Sequence, residues 1–568
     1  MTRSAWLTVA VAGVLVAGCA KAPQKGGPGL PRPTFTATAD YVGLPTALDG
    51  SASSDPAGRA LTYAWHFVSV PTGSVVTDAS FDNAGAATAK FVGDRGGTYR
   101  VSLVATTSDG AVNAITQDVV VPTVALLYYG ANIQQNNATL GAGVVRSDGT
   151  GSHPLACADV FDAGWAQKTD PEVLTISLAA GVAAIRSFDA PSPLFVFPKL
   201  QRVANPSGGS AAVFSYNLYA ANDQNDCNGR PATRLDTTGG AIFGPSPQLY
   251  FWPRFSPDGK RVVFLAQSVA GSNPVQVVTV GADGAALRIV GPIANSTNGT
   301  PTSAPLWIDN NTVGWVESAS TSGPSRWRVQ KATDAAGAAA STYLDCTGGA
   351  ATPVFEVINQ VEVVNGVVLV SGAINSTHNT TPGFVDIYRM APGSCVTTDK
   401  LTDETAGYFS GDFAVSPDGS KVVFASTRGA PLDLGSNGGF ANGDIYTVNA
   451  VGTPTVTRVA GDPALFDIGP RFVAGGKQIV WTQLSSVPAD LATIGAPSTA
   501  SLMIANADGT NAHKVLGGVE KAGEVNYVLG GGNLGFGCTW VGAAAGGGAL
   551  LVVALALVAM ALVRRRKI

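Results

Sequence analysis

Charged side chains are scarce in this 568-residue chain: Asp, Glu, Lys and Arg make up 13% of it, and the net charge is only −4. Because no basic stripe precedes the extreme C-terminus, the chain lacks the phosphate-neutralising surface that nucleic-acid binding requires, and we exclude nucleic acid as a partner. Glycine and proline are abundant instead, with 69 and 34 residues. This balance favours short strands joined by turns, so we expect a mostly β protein of two or more domains.

Catalytic and metal-binding patterns are missing as well. The four histidines are scattered, with no His-Glu-x-x-His and no pair at metal-ligand spacing: His66, His153, His378 and His513. No Gly-x-Ser-x-Gly elbow and no phosphate-binding glycine loop occurs. Asp258, Asp418 and Asp508 lie in turns that would suit calcium, but a turn-forming role already explains them. The sequence therefore predicts no catalytic, cofactor-binding or metal-binding residues and no cofactor.

The N-terminus has the layout of a secretory signal. A basic residue at Arg3 precedes an apolar run from Ala5 to Val16, and small residues stand immediately before Cys19. The segment Val16-Ala17-Gly18-Cys19 resembles the bacterial lipobox, which implies cleavage before Cys19 and lipidation of its thiol. An ordinary signal peptide is the alternative. Either one predicts an exported chain, and residues 20–33 read as a flexible linker.

The C-terminus also resembles a sorting or anchoring segment. Gly537-Cys538 precedes Val541 to Val563, twenty-three residues without a charge, and then Arg564-Arg565-Arg566-Lys567. An apolar helix of this length crosses a membrane, with the basic cluster on the cytoplasmic side. The order of the three parts resembles the C-terminal sorting signal of myxobacterial surface proteins, which implies processing near Cys538. A plain stop-transfer anchor is the alternative.

Four cysteines remain once Cys19 and Cys538 are assigned to processing signals: Cys157, Cys227, Cys346 and Cys395. An even number in an exported chain suggests two disulfides. Among three connectivities we choose the pairing of sequence neighbours, Cys157 with Cys227 and Cys346 with Cys395. Metal binding is the rival interpretation, but no two of the four have Cys-x-x-Cys spacing.

Residues 34–122 alternate apolar and polar side chains between turn signals, which is typical of a small β-sandwich. The segments Leu48 to Pro56, Tyr63-Ala64-Trp65, Gly97 to Val101 and Ser108-Asp109-Gly110 resemble the polycystic-kidney-disease (PKD) domain. That resemblance implies a spacer or weak binding module. We expect Trp65 and Tyr99 to fill the space between two sheets.

The rest of the chain contains a degenerate repeat of 51 to 57 residues, with starts at 204, 255, 307, 362, 415 and 472. The clearest copies run from Phe255 to Phe264 and from Val415 to Phe424, and both contain Ser-Pro-Asp-Gly. Four short strands per unit predict a β-propeller. The Ser-Pro-Asp-Gly turn followed by an apolar strand resembles the TolB-like, WD40-like propeller family.

A partial unit opens this region at Ala125 to Tyr129 and Val144 to Thr150. The strand Glu524 to Leu529 would complete it and so close the ring without free sheet edges. We therefore expect roughly seven blades, with six or eight as alternatives.

These features predict an all-β protein with five segments: a signal peptide (1–19), a linker (20–33), a PKD-like sandwich (34–122), a TolB-like propeller (123–531) and a Gly-Cys, transmembrane helix and Arg-cluster segment (532–568). With no catalytic constellation, we expect a non-enzymatic scaffold of the cell envelope or cell surface, membrane-anchored, whose propeller face binds an envelope protein or glycan. The alternative is a propeller-based polysaccharide lyase or hydrolase acting outside the cytoplasm, which needs histidines or carboxylates clustered in the channel.

Overall fold

The computed structural model of the protein describes residues 29–134, 137–151, 153–154, 186–187, 195–203, 213–221, 233–235, 248–256, 258–268, 275–290, 300–301, 305–318, 325–334, 342–344, 355–374, 386–390, 397–403, 410–428, 443–462, 465–484, 500–516 and 525–527. The signal peptide with Cys19, the linker up to residue 28 and the C-terminal segment lie outside these residues. Within them, no helix combines the length and the hydropathy needed to cross a membrane. The predicted C-terminal transmembrane helix falls outside the described residues and stays a prediction.

The chain divides into two compact units, Met1–Thr123 and Val124–Ile568. The strands of the first unit are β1 Thr36–Thr38, β2 Pro45–Asp49, β3 Leu61–Ser69, β4 Thr88–Val92, β5 Gly97–Thr107 and β6 Val112–Val121. They form two antiparallel sheets, β1-β2-β4 and β3-β5-β6, and a 3₁₀ turn at Asp78–Ser80 follows β3 in the chain.

The core of this unit is aromatic. Trp65 and Tyr99 are 1% and 0% exposed and pack in one cluster with Phe35, Phe81 and Phe91. Each polar tip has a backbone partner: the Trp65 indole donates to the Ala86 carbonyl at 2.9 Å, and the Tyr99 hydroxyl donates to the Arg95 carbonyl at 2.9 Å. The expectation that Trp65 and Tyr99 fill the sandwich is confirmed.

The described residues of the second unit form one 3₁₀ turn, at Ala474–Gly476, and strands. In chain order they are β7 Val124–Gln134, β8 Asn137–Arg146, β9 His153–Pro154, β10 Arg186–Ser187, β11 Phe195–Val203, β12 Val213–Ala221, β13 Thr233–Arg234, β14 Gln248–Phe255, β15 Arg261–Ser268, β16 Gln276–Gly281, β17 Arg288–Val290, β18 Thr300–Pro301, β19 Leu306–Trp307, β20 Thr312–Ser318, β21 Ser325–Lys331, β22 Thr342–Leu344, β23 Phe355–Val364, β24 Val367–Ile374, β25 Asp386–Met390, β26 Thr397–Lys400, β27 Ser410–Val415, β28 Lys421–Ser426, β29 Asp444–Asn449, β30 Thr457–Ala460, β31 Phe466–Val473, β32 Gln478–Leu484, β33 Ala500–Asn506, β34 His513–Leu516 and β35 Val525–Tyr527.

These strands form seven antiparallel sheets in the described part of the unit, which we call blades I to VII. Blade I contains β7 to β10 with β35, blade II β11 to β13, blade III β14 to β17, blade IV β18 to β22, blade V β23 to β26, blade VI β27 to β30 and blade VII β31 to β34. Blades II to VII each contact the next, and blade VII contacts blade I. This is the propeller-like arrangement that the repeat predicted.

Apolar clusters fill the spaces between successive blades. One joins Val263 and Leu265 of blade III to Trp307 and Trp315 of blade IV. Two others join blades IV and V, and blades V and VI. Because each fully buried side chain of this kind stabilises the fold by roughly 1.5 to 3 kcal/mol, the blades depend on their neighbours for stability.

The Ser-Pro-Asp-Gly turns hold the hairpin between first and second strands. In blade VI, Ser416 Oγ donates to Asp418 Oδ1 at 2.6 Å, and the backbone of Ser420 donates to the same oxygen at 3.0 Å. Gly419 has φ +75°, a left-handed conformation that glycine adopts without strain. Blade III repeats this pattern, with Ser256 Oγ donating to Asp258 Oδ1 at 2.6 Å.

The ring is closed by the end of the chain. The strand β35 pairs antiparallel with β7, with Val525 opposite Ala131 and Tyr527 opposite Tyr129. The predicted closure by the strand around Val525 is therefore confirmed. A second closing contact places Gly149, after β8, against the carbonyl of Val515 in β34.

Candidate functional site

A charged cluster lies where the first strands of successive blades converge. Arg254 in β14 of blade III pairs with Glu362 in β23 of blade V, with Nη1 and Oε1 at 3.1 Å. Blade IV lies between these two blades in the ring, so the contact is possible only near a common axis. We call Arg254, Gln360 and Glu362 the axial cluster.

The neighbouring backbone fixes this cluster in place. Gln360 Nε2 donates to Glu362 Oε1 at 3.1 Å and to the Phe413 carbonyl of blade VI at 2.7 Å, while Gln360 Oε1 accepts from the Phe413 N–H at 3.1 Å. On the other side, the indole of Trp307 in blade IV donates to the Arg254 carbonyl at 3.1 Å. Residues of four adjacent blades thus form one hydrogen-bonded network around the ion pair.

Three blades have a charged residue at the same position of their first strand. In the antiparallel pairing, each of them lies opposite the second residue of the buried apolar run in the next strand: Arg254 opposite Val263, Glu362 opposite Leu369 and Arg471 opposite Val480. Leu306 and Ala414 occupy this position in blades IV and VI. The strand register therefore directs a mixed set of side chains to one level of the propeller axis.

In blades III, VI and VII, the pairing of the first strand with the second is irregular just before this position. The register shifts between Phe251 and Arg254, between Gly411 and Ala414, and between Ile468 and Arg471. Bulges of this kind re-aim side chains next to functional sites.

The ion pair is partly open to solvent, with both side chains 22% exposed. Screening limits its contribution to folding stability to about 1 kcal/mol. The pair is therefore a minor source of stability and a candidate binding surface.

A second unusual group is Asp467, at the start of β31. It is 0% exposed, its Oδ1 accepts from the Trp481 indole at 2.8 Å and from Gln483 Nε2 at 3.0 Å, and its Oδ2 is buried without a hydrogen-bond partner among the described residues. Burial raises the pKa of Asp467 from 3.8 to about 6, and the negative charges of Asp444 and Asp462 act in the same direction. Burial also raises the pKa of Asp444, which Arg458 contacts at 2.8 Å.

The histidines do not meet in the described structure. His66 Nδ1 lies 2.8 Å from Asp78 Oδ2 on the sandwich, and this hydrogen bond lowers the pKa of Asp78. Asp78 also borders a cleft of about 510 Å³, which is lined by Phe67, Val70 and Val76. His513 lies in β34 of blade VII, and His378 lies outside the described residues.

Only some of the other residues singled out from the sequence lie within the described residues. All six cysteines, Cys19, Cys157, Cys227, Cys346, Cys395 and Cys538, lie outside the described residues. The three turn aspartates hold their own turns, and hydrogen bonds from Ser256, Ser416 and Thr510 lower the pKa values of Asp258, Asp418 and Asp508, respectively. Over the described ranges, no group of three or more His, Cys, Asp or Glu side chains could hold a metal ion.

Sequence reasoning missed the axial cluster and Asp467. One signal was present: Arg254-Phe255 and Arg471-Phe472 stand at the same place in two repeats. Glu362 had no such signal, because its partner lies 108 residues away in the chain.

No family model and no curated protein matches the chain. Solved structures that resemble it include a puromycin hydrolase mutant (15% identity, TM-score 0.39, 68% of this chain and 51% of the other) and prolyl endopeptidases (13%, 0.39, 62% and 46%). TolB from Acinetobacter baumannii is a further neighbour (13%, 0.33, 71% and 82%). A PKD domain resembles 17% of this chain at 26% identity and TM-score 0.13. The chain spans about half the length of the hydrolase and endopeptidase structures.

These neighbours correct two predictions. We expected a protein that is not an enzyme, and specifically a non-enzymatic binding scaffold, because the sequence carries no catalytic motif. The puromycin hydrolase and the prolyl endopeptidases are enzymes, so both predictions are contradicted. The lack of a recognisable motif did not support those predictions, because propellers occur in enzymes and in binding proteins alike. At these TM-scores the similarities carry no further argument about the chemistry of this chain.

Proposed function

We propose that the protein is an enzyme that acts on peptides outside the cytoplasm and holds them at the axial cluster of its propeller. The observation that carries this proposal is the ion pair between Arg254 and Glu362. It brings both signs of charge to one partly exposed position between the first strands of four blades.

The chemistry of the pair favours a peptide over a glycan. A peptide offers carboxylates to the Arg254 guanidinium and N–H donors to the Glu362 carboxylate. A neutral polysaccharide offers only hydroxyls, and most glycoside hydrolases need two carboxylates beside the bond that is cleaved. The axial cluster contains one carboxylate, so it supports the peptide proposal better than the glycan alternative.

In this proposal the axial cluster binds and orients the substrate. Gln360 holds the Glu362 carboxylate and the Trp307 indole holds the Arg254 backbone, which reduces the ordering needed when a peptide binds. Orientation of this kind is itself a large contribution to catalysis. We assign no residue as the nucleophile.

The location outside the cytoplasm is part of the proposal. It rests on the lipobox-like segment ending at Cys19 and on the apolar segment that follows Cys538. Substrates would then be peptides of the cell envelope or of the surroundings.

The test is peptide turnover by the full chain, purified in detergent from membranes. A mixed peptide pool is incubated with the wild type, with Arg254→Gln and with Lys514→Ala, and fragments are counted by mass spectrometry. Lys514 is an exposed residue of β34 and serves as the matched control. We expect cleavage by the wild type and the control, and a loss of about tenfold or more in Arg254→Gln.

Two results would contradict the proposal. One is a wild-type protein that cleaves no peptide of the pool. The other is unchanged turnover in Arg254→Gln at a melting temperature equal to that of the wild type, because the axial cluster would then have no part in the activity.

A further inference from the structure

The ion pair of the axial cluster uses only part of its hydrogen-bonding capacity. Arg254 contacts Glu362 through Nη1 alone, and both hydrogen bonds that reach the Glu362 carboxylate end on Oε1. Among the described residues, Nη2 and Nε of Arg254 and Oε2 of Glu362 have no hydrogen-bond partner. A guanidinium has five N–H donors and a carboxylate has two acceptor oxygens, so each side chain can bind one more group without breaking the pair.

We propose that this half-used pair binds the C-terminal residue of a peptide. Arg254 takes the terminal carboxylate through Nη2 and Nε, and Glu362 Oε2 accepts the N–H of the same residue. This inference rests on the proposed peptide function, and it names the substrate class as peptides with a free C-terminus.

The two polar groups of a C-terminal residue are complementary to the two side chains of the ion pair. Its carboxylate and its own amide N–H are attached to one Cα, so an acceptor and a donor stand side by side. A guanidinium and a carboxylate held 3.1 Å apart present the complementary donor and acceptor side by side. An internal peptide segment supplies the N–H but not the carboxylate.

The surroundings of the pair leave room for this ligand. In blade VI the equivalent first-strand position is Ala414, which has only a methyl group and is partly exposed. Glu362 stays in place when a ligand contacts Arg254, because Gln360 holds its Oε1 independently. Gln360 is 3% exposed and is itself fixed by the Phe413 backbone.

The experiment compares matched peptides for binding to the full chain by calorimetry. One peptide has a free C-terminus, the second is its C-terminal amide, and the third is the amide with an aspartate side chain near its end. The proteins are the wild type, Arg254→Gln, Arg254→Lys and the control Lys514→Ala, each checked for an unchanged melting temperature. Arg254→Lys keeps the charge and provides a variant of preserved fold if Arg254→Gln does not fold.

We expect the free acid to bind the wild type and the control about tenfold or more tightly than the amide, which is the effect of one hydrogen-bonded charge pair. Arg254→Gln should abolish this preference, and Arg254→Lys should reduce it because lysine cannot donate from two positions of a planar group.

Other outcomes overturn the inference in distinguishable ways. Equal binding of acid and amide by the wild type would refute carboxylate recognition while leaving the peptide function standing. Equal binding of the free acid and the aspartate-containing amide would show that a side-chain carboxylate is the ligand. If both Arg254 variants still prefer the free acid over the amide, Arg254 is not part of the site. If none of the three peptides binds, the proposed function itself is contradicted.

Discussion

Replacing Asp467 with asparagine tests whether burial in the fold raises the pKa of its carboxyl. The pKa of this group is raised from 3.8 to about 6, chiefly by burial. The folded protein therefore binds more protons than the unfolded chain between about pH 4 and pH 6, so this group's contribution to stability is fully present below pH 4 and is lost as the pH rises through 6. At 1.36 kcal/mol per pKa unit, the shift corresponds to about 3 kcal/mol.

Asparagine has nearly the same shape and does not ionise in this range. Its carbonyl oxygen can still accept from the Trp481 indole and from Gln483, so the packing is preserved. The free energy of unfolding of Asp467→Asn, minus that of the wild type, should increase by about 3 kcal/mol between pH 4 and pH 8. Contributions of carboxyls that do not interact with Asp467 cancel in this difference.

Urea unfolding of both proteins at each pH unit from 4 to 8 measures this quantity. Asp508→Asn is the control, because hydrogen bonds from Thr510 lower the pKa of Asp508 below 3.8 and its difference from the wild type should stay nearly constant from pH 4 to pH 8. Asp444 and Asp462 also face this group across the junction of blades VI and VII, so Asp444→Asn should lower the pKa of Asp467 and reduce the effect. A difference that stays constant over the whole pH range would refute the reasoning.

Four further predictions follow from the fold and the sequence. Gly149→Ala should destabilise the propeller by about 1 to 3 kcal/mol, because φ is +76° and the new Cβ would lie 2.8 Å from the Val515 carbonyl; thermal melting checks it. A chain cut after Gly518 should melt well below one cut after Gly532, because it lacks β35, which pairs with β7. Cys19→Ser should abolish incorporation of labelled lipid, and retained label would show that Cys19 is not the lipidated residue. Non-reducing mass mapping should find Cys157 with Cys227 and Cys346 with Cys395, whereas free thiols would contradict both disulfides.

The features that depend on residues close together in the sequence were predictable from it. The hairpin turn at Ser416 and Asp418 needs only residues within five positions, so its composition indicated both the turn and the strands around it. The alternation of apolar and polar side chains around Trp65 predicted the sandwich core, because every second residue of a strand points to the same face of the sheet. The closing strand near Val525 was predictable because a ring with an unpaired edge is unfavourable.

The site was not predictable, because its residues meet only through the ring. Arg254 and Glu362 are 108 positions apart and come together after three blades have packed. The state of Asp467 likewise depends on burial against blade VI, where the Gly443 carbonyl accepts its backbone N–H at 2.8 Å. The expectation that the protein is not an enzyme rested only on the lack of a local motif, and a site assembled from distant strands has no such motif.

Photo-crosslinking tests the central claim most directly. A peptide with a photoreactive side chain on its C-terminal residue is irradiated with the full chain, and the modified segments are identified by mass spectrometry. The account predicts crosslinks within residues 248–256 and 355–364, which contain Arg254 and Glu362, and competition by the unlabelled free acid. Crosslinks confined to the sandwich, or to blade positions away from these two strands, would contradict it.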